Sequence, residues 1–288
     1  MTSPPGSIGA TPALFTGLLD DAGLFPPAAL PPPEALRAHL AHRSSWYAPL
    51  VGPFVCPSTG LVALAGLLES PIAVSVVVPA GPDGLAGALE AAVAPGISLA
   101  ALEVPLGPPE VAAVAAARLA AEVAAASPAV PVFAEVAWSS SARELEATLD
   151  VLAANGLRAK IRTGGLEAAA FPDEARLARL LLALSDRGLA FKCTAGLHEA
   201  VRRKGRTGFE QMGFANILLA TAAASEGARE PELERLLADR DEAVVAASLA
   251  RLDPAVRGRF LSFGTCSVND PVEDLVRLGL LSAPSSPA

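Results

Sequence analysis

Four charged residues interrupt otherwise apolar runs: Glu103 in LEVP, Glu135 in FAEV, Lys160 in AKIRTGG and Lys192 in FKCTAG. Strand side chains alternate with a period of two. Lys160 then shares a face with Arg158 and Arg162, and Lys192 with Ala190 and Thr194. Ala159, Ile161 and Thr163, like Phe191 and Cys193, take the opposite faces, which suit packing against helices. The charged faces are therefore expected to point into a barrel lumen, where a charge is costly unless it is paired or put to use. Two kinds of chemistry follow. An ordinary lysine, with a pKa near 10.4, is protonated at neutral pH and cannot attack a carbonyl; burial and a second ammonium lower that pKa and free the amine. Alternatively both lysines pair with Glu103 and Glu135, their pKa values rise, and the network only fills the lumen.

The loops that follow three of the apolar runs share a composition. Thr163-Gly164-Gly165, Thr194-Ala195-Gly196 and Gly264-Thr265-Cys266-Ser267 are small, carry hydroxyls and contain glycine. Such loops offer backbone N–H groups beside a helix N-terminus, and together they read as a cradle for a phosphate or carboxylate, or else as ordinary tight turns. Arg162, if it points inward, can hold a substrate carboxylate with its two-pronged guanidinium. His198, in TAGLHEAVR, reads as a helix-start residue or as an acid–base or anion-binding group. Asp20 and Asp21 are either active-site carboxylates or a turn. Cys193 and Cys266 are expected to be small packing residues, since no base stands near either in the sequence. His39 and His42 are expected on a surface helix without a role. The basic run Arg202 to Arg206 reads as a solvated loop or helix end, or as a phosphate contact.

The elements that must position these residues alternate regularly. Strands are expected at Leu14–Leu19, Leu50–Cys56, Ile72–Pro79, Ser98–Val104, Val132–Trp138, Arg158–Thr163, Ala190–Thr194 and Phe260–Gly264. Helical patterns lie at Pro33–His42, Thr59–Leu68, Gly84–Val93, Pro109–Ala126, Ala142–Ala154 and Asp173–Arg187. Eight strands alternating with helices in 288 residues predict an α/β fold, a (β/α)8 TIM barrel, rather than a doubly wound open sheet. The barrel domain is expected over residues 11–281, between loose tails at 1–10 and 282–288. Residues 205–257 break the rhythm and predict an extra helical insertion between the seventh and eighth strands, with no strand of its own. Within it, Met212–Ala224 is apolar nearly all round and reads as a core helix or a subunit contact.

Composition narrows the functional classes. Apolar residues make up 52% and charged residues 18%, which excludes disorder throughout. The net charge of −8 argues against nucleic acid or an anionic membrane as partner. Three scattered cysteines indicate neither a disulfide framework nor a zinc site. The charge-free run Trp46–Leu68 contains Pro49, Pro53 and Pro57, which suit a strand–loop–helix passage better than a spanning helix. The N-terminus lacks the basic start and apolar core of a signal peptide, so a cytoplasmic protein is expected.

Taken in order, the motifs resemble those of the deoxyribose-phosphate aldolase family and of class I barrel aldolases more broadly. Leu18-Leu19-Asp20-Asp21 resembles the family's first-strand segment, and Phe54-Val55-Cys56-Pro57-Ser58 its second. Ala159-Lys160-Ile161-Arg162-Thr163-Gly164 resembles the sixth-strand motif, and Lys192-Cys193-Thr194-Ala195-Gly196-Leu197 the seventh. Gly264-Thr265-Cys266-Ser267 resembles the eighth-strand phosphate loop, and Glu103 stands near the fourth-strand proton-relay aspartate. The resemblance implies that Lys160 forms the Schiff base, that Lys192 tunes it and relays protons, and that Glu103 or Glu135 moves protons at the carbinolamine. The chain departs from the family at Arg162, Glu103, His198 and residues 205–257, which points to a relative with its own substrate.

Three functions are consistent with these readings. The first is a Schiff-base lyase or aldolase acting, without a cofactor, on a small phosphorylated or carboxylated carbonyl compound. The second is a metal-dependent barrel enzyme with an enolate-like intermediate, in which Asp20, Glu103 and Glu135 hold Mg2+ and a lysine is the base. The third is a non-catalytic barrel that binds an anion. A homo-oligomer is compatible with all three.

Overall fold

The computed structural model describes residues 12–138, 141–165, 167–205 and 208–284. The expected tail at 1–10, and residues 285–288 of the second tail, lie outside the described residues. In chain order the elements are β1 (Leu19–Asp21), α1 (Pro32–Arg43), β2 (Val51–Pro57), α2 (Leu61–Ala65), β3 (Ile72–Val77), α3 (Leu85–Ala91), β4 (Ile97–Pro105), α4 (Pro109–Ala126), β5 (Val132–Val136), α5 (Ala142–Ala154), β6 (Arg158–Arg162), α6 (Glu174–Asp186), β7 (Phe191–Thr194), β8 (Arg203–Lys204), β9 (Glu210–Gln211), α7 (Phe214–Ser225), α8 (Glu230–Ala238), α9 (Glu242–Leu249), β10 (Phe260–Thr265) and α10 (Asn269–Arg277). Strands β1 to β7 and β10 pair in parallel and close on themselves, with β10 between β7 and β1. The fold is a (β/α)8 TIM barrel.

Local chemistry explains most of these elements. The barrel strands are short apolar runs, as strands covered by helices on one face and filled on the other should be. Ser141 caps α5 by accepting from the Glu144 amide, and Asp173 caps α6 by accepting from the Arg176 amide. Gly156 and Gly188, both at positive φ, carry the chain from α5 into β6 and from α6 into β7.

The first strand lies further along than expected. Ala13–Phe15 forms a 3-10 turn that buries Leu14 and Phe15, and the strand is Leu19–Asp21. Residues 205–257 also differ from expectation, because the strand β9 lies there and pairs antiparallel with β8 just before the segment. Three helices, α7 to α9, then precede β10, where the other βα units carry one α-helix each. Helix α7 is almost wholly buried and packs against α6, α8 and α9, so the apolar segment is core. The basic run is solvated only in part, with Lys204 exposed. Arg202 is buried and pairs with Glu174 at 2.8 Å, and Arg203 pairs with Glu199 and Asp274. Arg206 lies outside the described residues. Trp46–Leu68 contains β2 and α2, and among the described residues no helix is long and apolar enough to cross a membrane.

Candidate active site

The strand registers bring the predicted charges together. Lys160 of β6 stands beside Lys192 of β7 and beside Glu135 of β5. Glu103 extends from β4 and Asp20 from β1. All five side chains meet in the lumen near the C-terminal ends of the strands, where barrel enzymes keep their active sites. The Lys160 ammonium lies 2.7 Å from Glu103 Oε2 and 2.9 Å from Glu135 Oε2. The Lys192 ammonium donates to Glu103 Oε1 at 2.5 Å and to Asp20 Oδ2. Glu103 is thus shared by both lysines, and it also accepts from Ser75 Oγ. Ser262 Oγ donates to Asp20 Oδ2 at 2.8 Å. The close approach of Asp20 requires glycine at position 52, where a Cβ would stand 2.5 Å from Asp20 Oδ1.

This pairing decides the protonation states. Burial opposes the charge on each lysine, but the carboxylates outweigh it. Lys160, between Glu103 and Glu135, and Lys192, between Asp20 and Glu103, are both raised above the ordinary lysine range. The lowered lysine pKa expected for a nucleophilic amine is therefore not found in the resting site. Burial would raise Glu103, but the two ammonium groups hold it well below the usual carboxylate range. Glu135 is likewise held down by Lys160 and Arg162 against the effect of burial. Asp20 goes the other way, because burial outweighs the pull of Lys192.

Above this floor opens a cavity of about 570 Å³, a size that suits a small organic molecule. Its apolar lining comes largely from Ala22, Phe25, Pro26, Pro27 and Ala28 of the β1–α1 loop and from Phe171 of the β6–α6 loop. Arg162 stands at the rim, half exposed, with one guanidinium nitrogen 3.4 Å from Glu135 Oε1. Gly165, Thr194, Gly196, His198, Gly264 and Ser267 line the cavity as well.

The other expected cradle residues serve the loops themselves. Thr163 is buried and its hydroxyl donates to the Ala195 carbonyl at 2.6 Å. Thr265 donates to the Ser267 carbonyl at 2.9 Å. Gly164 packs against Gly196, so closely that a Cβ on Gly164 would stand 2.8 Å from the Gly196 Cα. Neither Thr163, Gly164 nor Thr265 is among the cavity-lining residues.

Other site residues were legible only in part. Asp20 and Asp21 take opposite faces of β1, so only Asp20 reaches the lumen. Asp21 turns to α1, where His39 Nδ1 lies 3.0 Å from Oδ2. His39 is buried, not on a surface face as expected. Cys266 lines the cavity instead of packing in the core, and its sulfur lies 3.6 Å from His198 Nε2. His198 Nδ1 lies 3.3 Å from Asp270 Oδ2. The base for Cys266 sits 68 residues away in the chain, on a different loop, which is why sequence proximity concealed it.

Burial disfavours a charged His198, but Asp270 and Cys266 outweigh it and raise the imidazole to about 9 from an ordinary 6.5. A raised histidine stabilises the fold fully below its unfolded pKa and loses that contribution as pH rises through the folded one. The part of this stabilisation that comes from Asp270 is therefore expected to fade as pH rises towards about 9. Denaturant unfolding at several pH values measures this, and His198→Gln should flatten the profile.

Among the described residues, no group of three or more His, Cys, Asp or Glu side chains is arranged to hold a metal ion. Asp20, Glu103 and Glu135, the set expected for Mg2+, turn their oxygens to ammonium groups instead. Searches with the sequence found no matching family model and no matching curated protein.

Proposed function

We propose that the protein is a Schiff-base enzyme of the lyase or aldolase type, with Lys160 as the amine and a small carbonyl compound as substrate. The observation that carries this reading is the use of lysine. The chain has three lysines among its 22 basic residues, and two of them stand side by side at the floor of the cavity. Arginine can fill a lumen with charge equally well, but only lysine can lose its proton and become a nucleophile.

The two lysines differ in how they are held. Lys192 is pinned by Asp20 and Glu103 and keeps its charge. Lys160 shares its second contact with Glu135, the most accessible carboxylate of the floor. As a carbonyl carbon approaches, Lys160 hands a proton along this hydrogen bond to Glu135, and the freed amine attacks. The oxygen takes one proton from the attacking nitrogen to give the carbinolamine, and Glu135 returns the other to it, so that it leaves as water. Lys192 stabilises negative charge developing on that oxygen. Arg162 at the rim suits a carboxylate or phosphate on the substrate's far end. The resemblance to deoxyribose-phosphate aldolases belongs with this reading, as does a chemistry that needs no cofactor.

Borohydride reduction in the presence of small aldehydes, 2-oxo acids and sugar phosphates, read by intact mass, tests the proposal. A covalent adduct is expected for wild type and for Lys204→Arg, and none for Lys160→Met. The raised pKa of Lys160 favours one other reading, in which the charged lysine donates a hydrogen bond to the carbonyl and Glu135 removes an adjacent proton. That reading predicts proton exchange into the substrate with no adduct.

A further inference from the structure

Cys266, His198 and Asp270 form a second reactive group on the wall of the same cavity. We infer that Cys266 is a thiolate nucleophile, paired with the His198 imidazolium that Asp270 orients, and that it adds reversibly to a small aldehyde. The choice of an aldehyde rests on the proposed carbonyl function of the cavity; the reactive thiolate does not.

The geometry separates this cysteine from the other two. Cys266 lines the cavity and its sulfur faces a ring nitrogen at 3.6 Å. The other ring nitrogen faces the Asp270 carboxylate at 3.3 Å, and Thr265 Oγ1 stands 3.4 Å from it. An acid, an imidazole and a thiol in series fix the ring and favour transfer of the thiol proton to it. Cys56 and Cys193 are buried, and burial raises both thiols, Cys56 to about 11. Asp270 and Cys266 already raise the His198 imidazole in the resting site, so a charged imidazole beside Cys266 needs no change in the fold.

The step balances without any other reactant. The sulfur lone pair bonds to the carbonyl carbon, the carbonyl π pair moves to oxygen, and the proton on His198 Nε2 passes to that oxygen. The product is a hemithioacetal beside a neutral imidazole, and reversal releases the aldehyde. Nothing is oxidised or reduced. In the proposed reaction such a centre would hold an aldehyde beside Lys160 until the amine is free to receive it.

Alkylation by iodoacetamide, followed by peptide mapping, tests the inference. Cys266 should react well before Cys56 and Cys193. Its rate should change less than about threefold between pH 6 and 8, where an ordinary thiol gains nearly a hundredfold. His198→Gln should restore the ordinary rise, and Asp270→Asn, a smaller change, should move the profile part of the way. Propionaldehyde should slow the alkylation of Cys266 in wild type and equally in Lys160→Met. A rate for Cys266 that climbs tenfold per pH unit, or is unchanged by His198→Gln, overturns the thiolate. A failure of propionaldehyde to protect Cys266 in Lys160→Met overturns the aldehyde adduct. Because hemithioacetals form in Lys160→Met and Schiff bases do not, the failure of this inference is distinguishable from the failure of the Lys160 mechanism.

Discussion

Glu103→Gln is expected to cost about 3–5 kcal/mol of stability, because it removes the one carboxylate that both buried lysines share. Lys192 would retain Asp20, and Lys160 would retain Glu135, but each buried ammonium loses half of its compensation. For a chain of this size the loss corresponds to roughly 5–10 °C in Tm. Ser75→Ala, which leaves the charge in place and removes one hydrogen bond, should cost about 1 kcal/mol. The effect should also depend on pH in a fixed direction. Glu103 is held below its ordinary value of 4.5, so its contribution is present in full above that value and is lost as pH falls below it. The gap between wild type and Glu103→Gln should therefore close on acidification. A variant as stable as wild type at neutral pH would mean that the network merely fills space.

The second large effect is expected at Glu135. In the proposed reaction Lys160 gives its proton to this carboxylate within one hydrogen bond, so the pair keeps its net charge and the trapping rate should be nearly flat from pH 6 to 9. Glu135→Gln removes the acceptor, and the amine must then lose its proton to water. Trapping should fall about 10²-fold at pH 7 and rise tenfold with each pH unit, as for a free lysine. Rates from borohydride quenching at fixed times provide the measurement. A wild-type rate that climbs tenfold per unit across this range would place the proton loss in solvent and remove Glu135 from the mechanism.

The barrel was legible because its strands are short apolar runs separated by helices, and the period of two was enough to turn Lys160 and Lys192 inward. Glu103 and Glu135 were legible for the same reason, as charges where packing alone would not put them. What the sequence left open was pairing. Two lysines beside two glutamates permit either a lowered or a raised amine, and only distances choose between them. Asp20 was legible only as one of two alternatives, because two adjacent aspartates after a weak apolar run also look like a turn, whereas the strand begins at Leu19 and places them on opposite faces. His39 was hidden because α1 has almost no apolar stripe to mark its buried side. Thr163 and Thr265 looked free for a ligand, yet their hydroxyls close the loops that carry them. Cys266 and His198 lie on different loops, so only the closed barrel brings base and thiol together.

The central claim is that one amine of this chain, on Lys160, is chemically distinct from the rest. The most direct measurement is to treat the wild-type protein with a reactive carbonyl compound from the trapping panel and borohydride at neutral pH, digest it, and locate the reduced linkage. With three lysines in the chain, the assignment is simple. The account predicts a single adduct on Lys160, although Lys204 is far more exposed to reagent. Adducts confined to Lys204 or the terminal amine, with Lys160 unmodified, would contradict it.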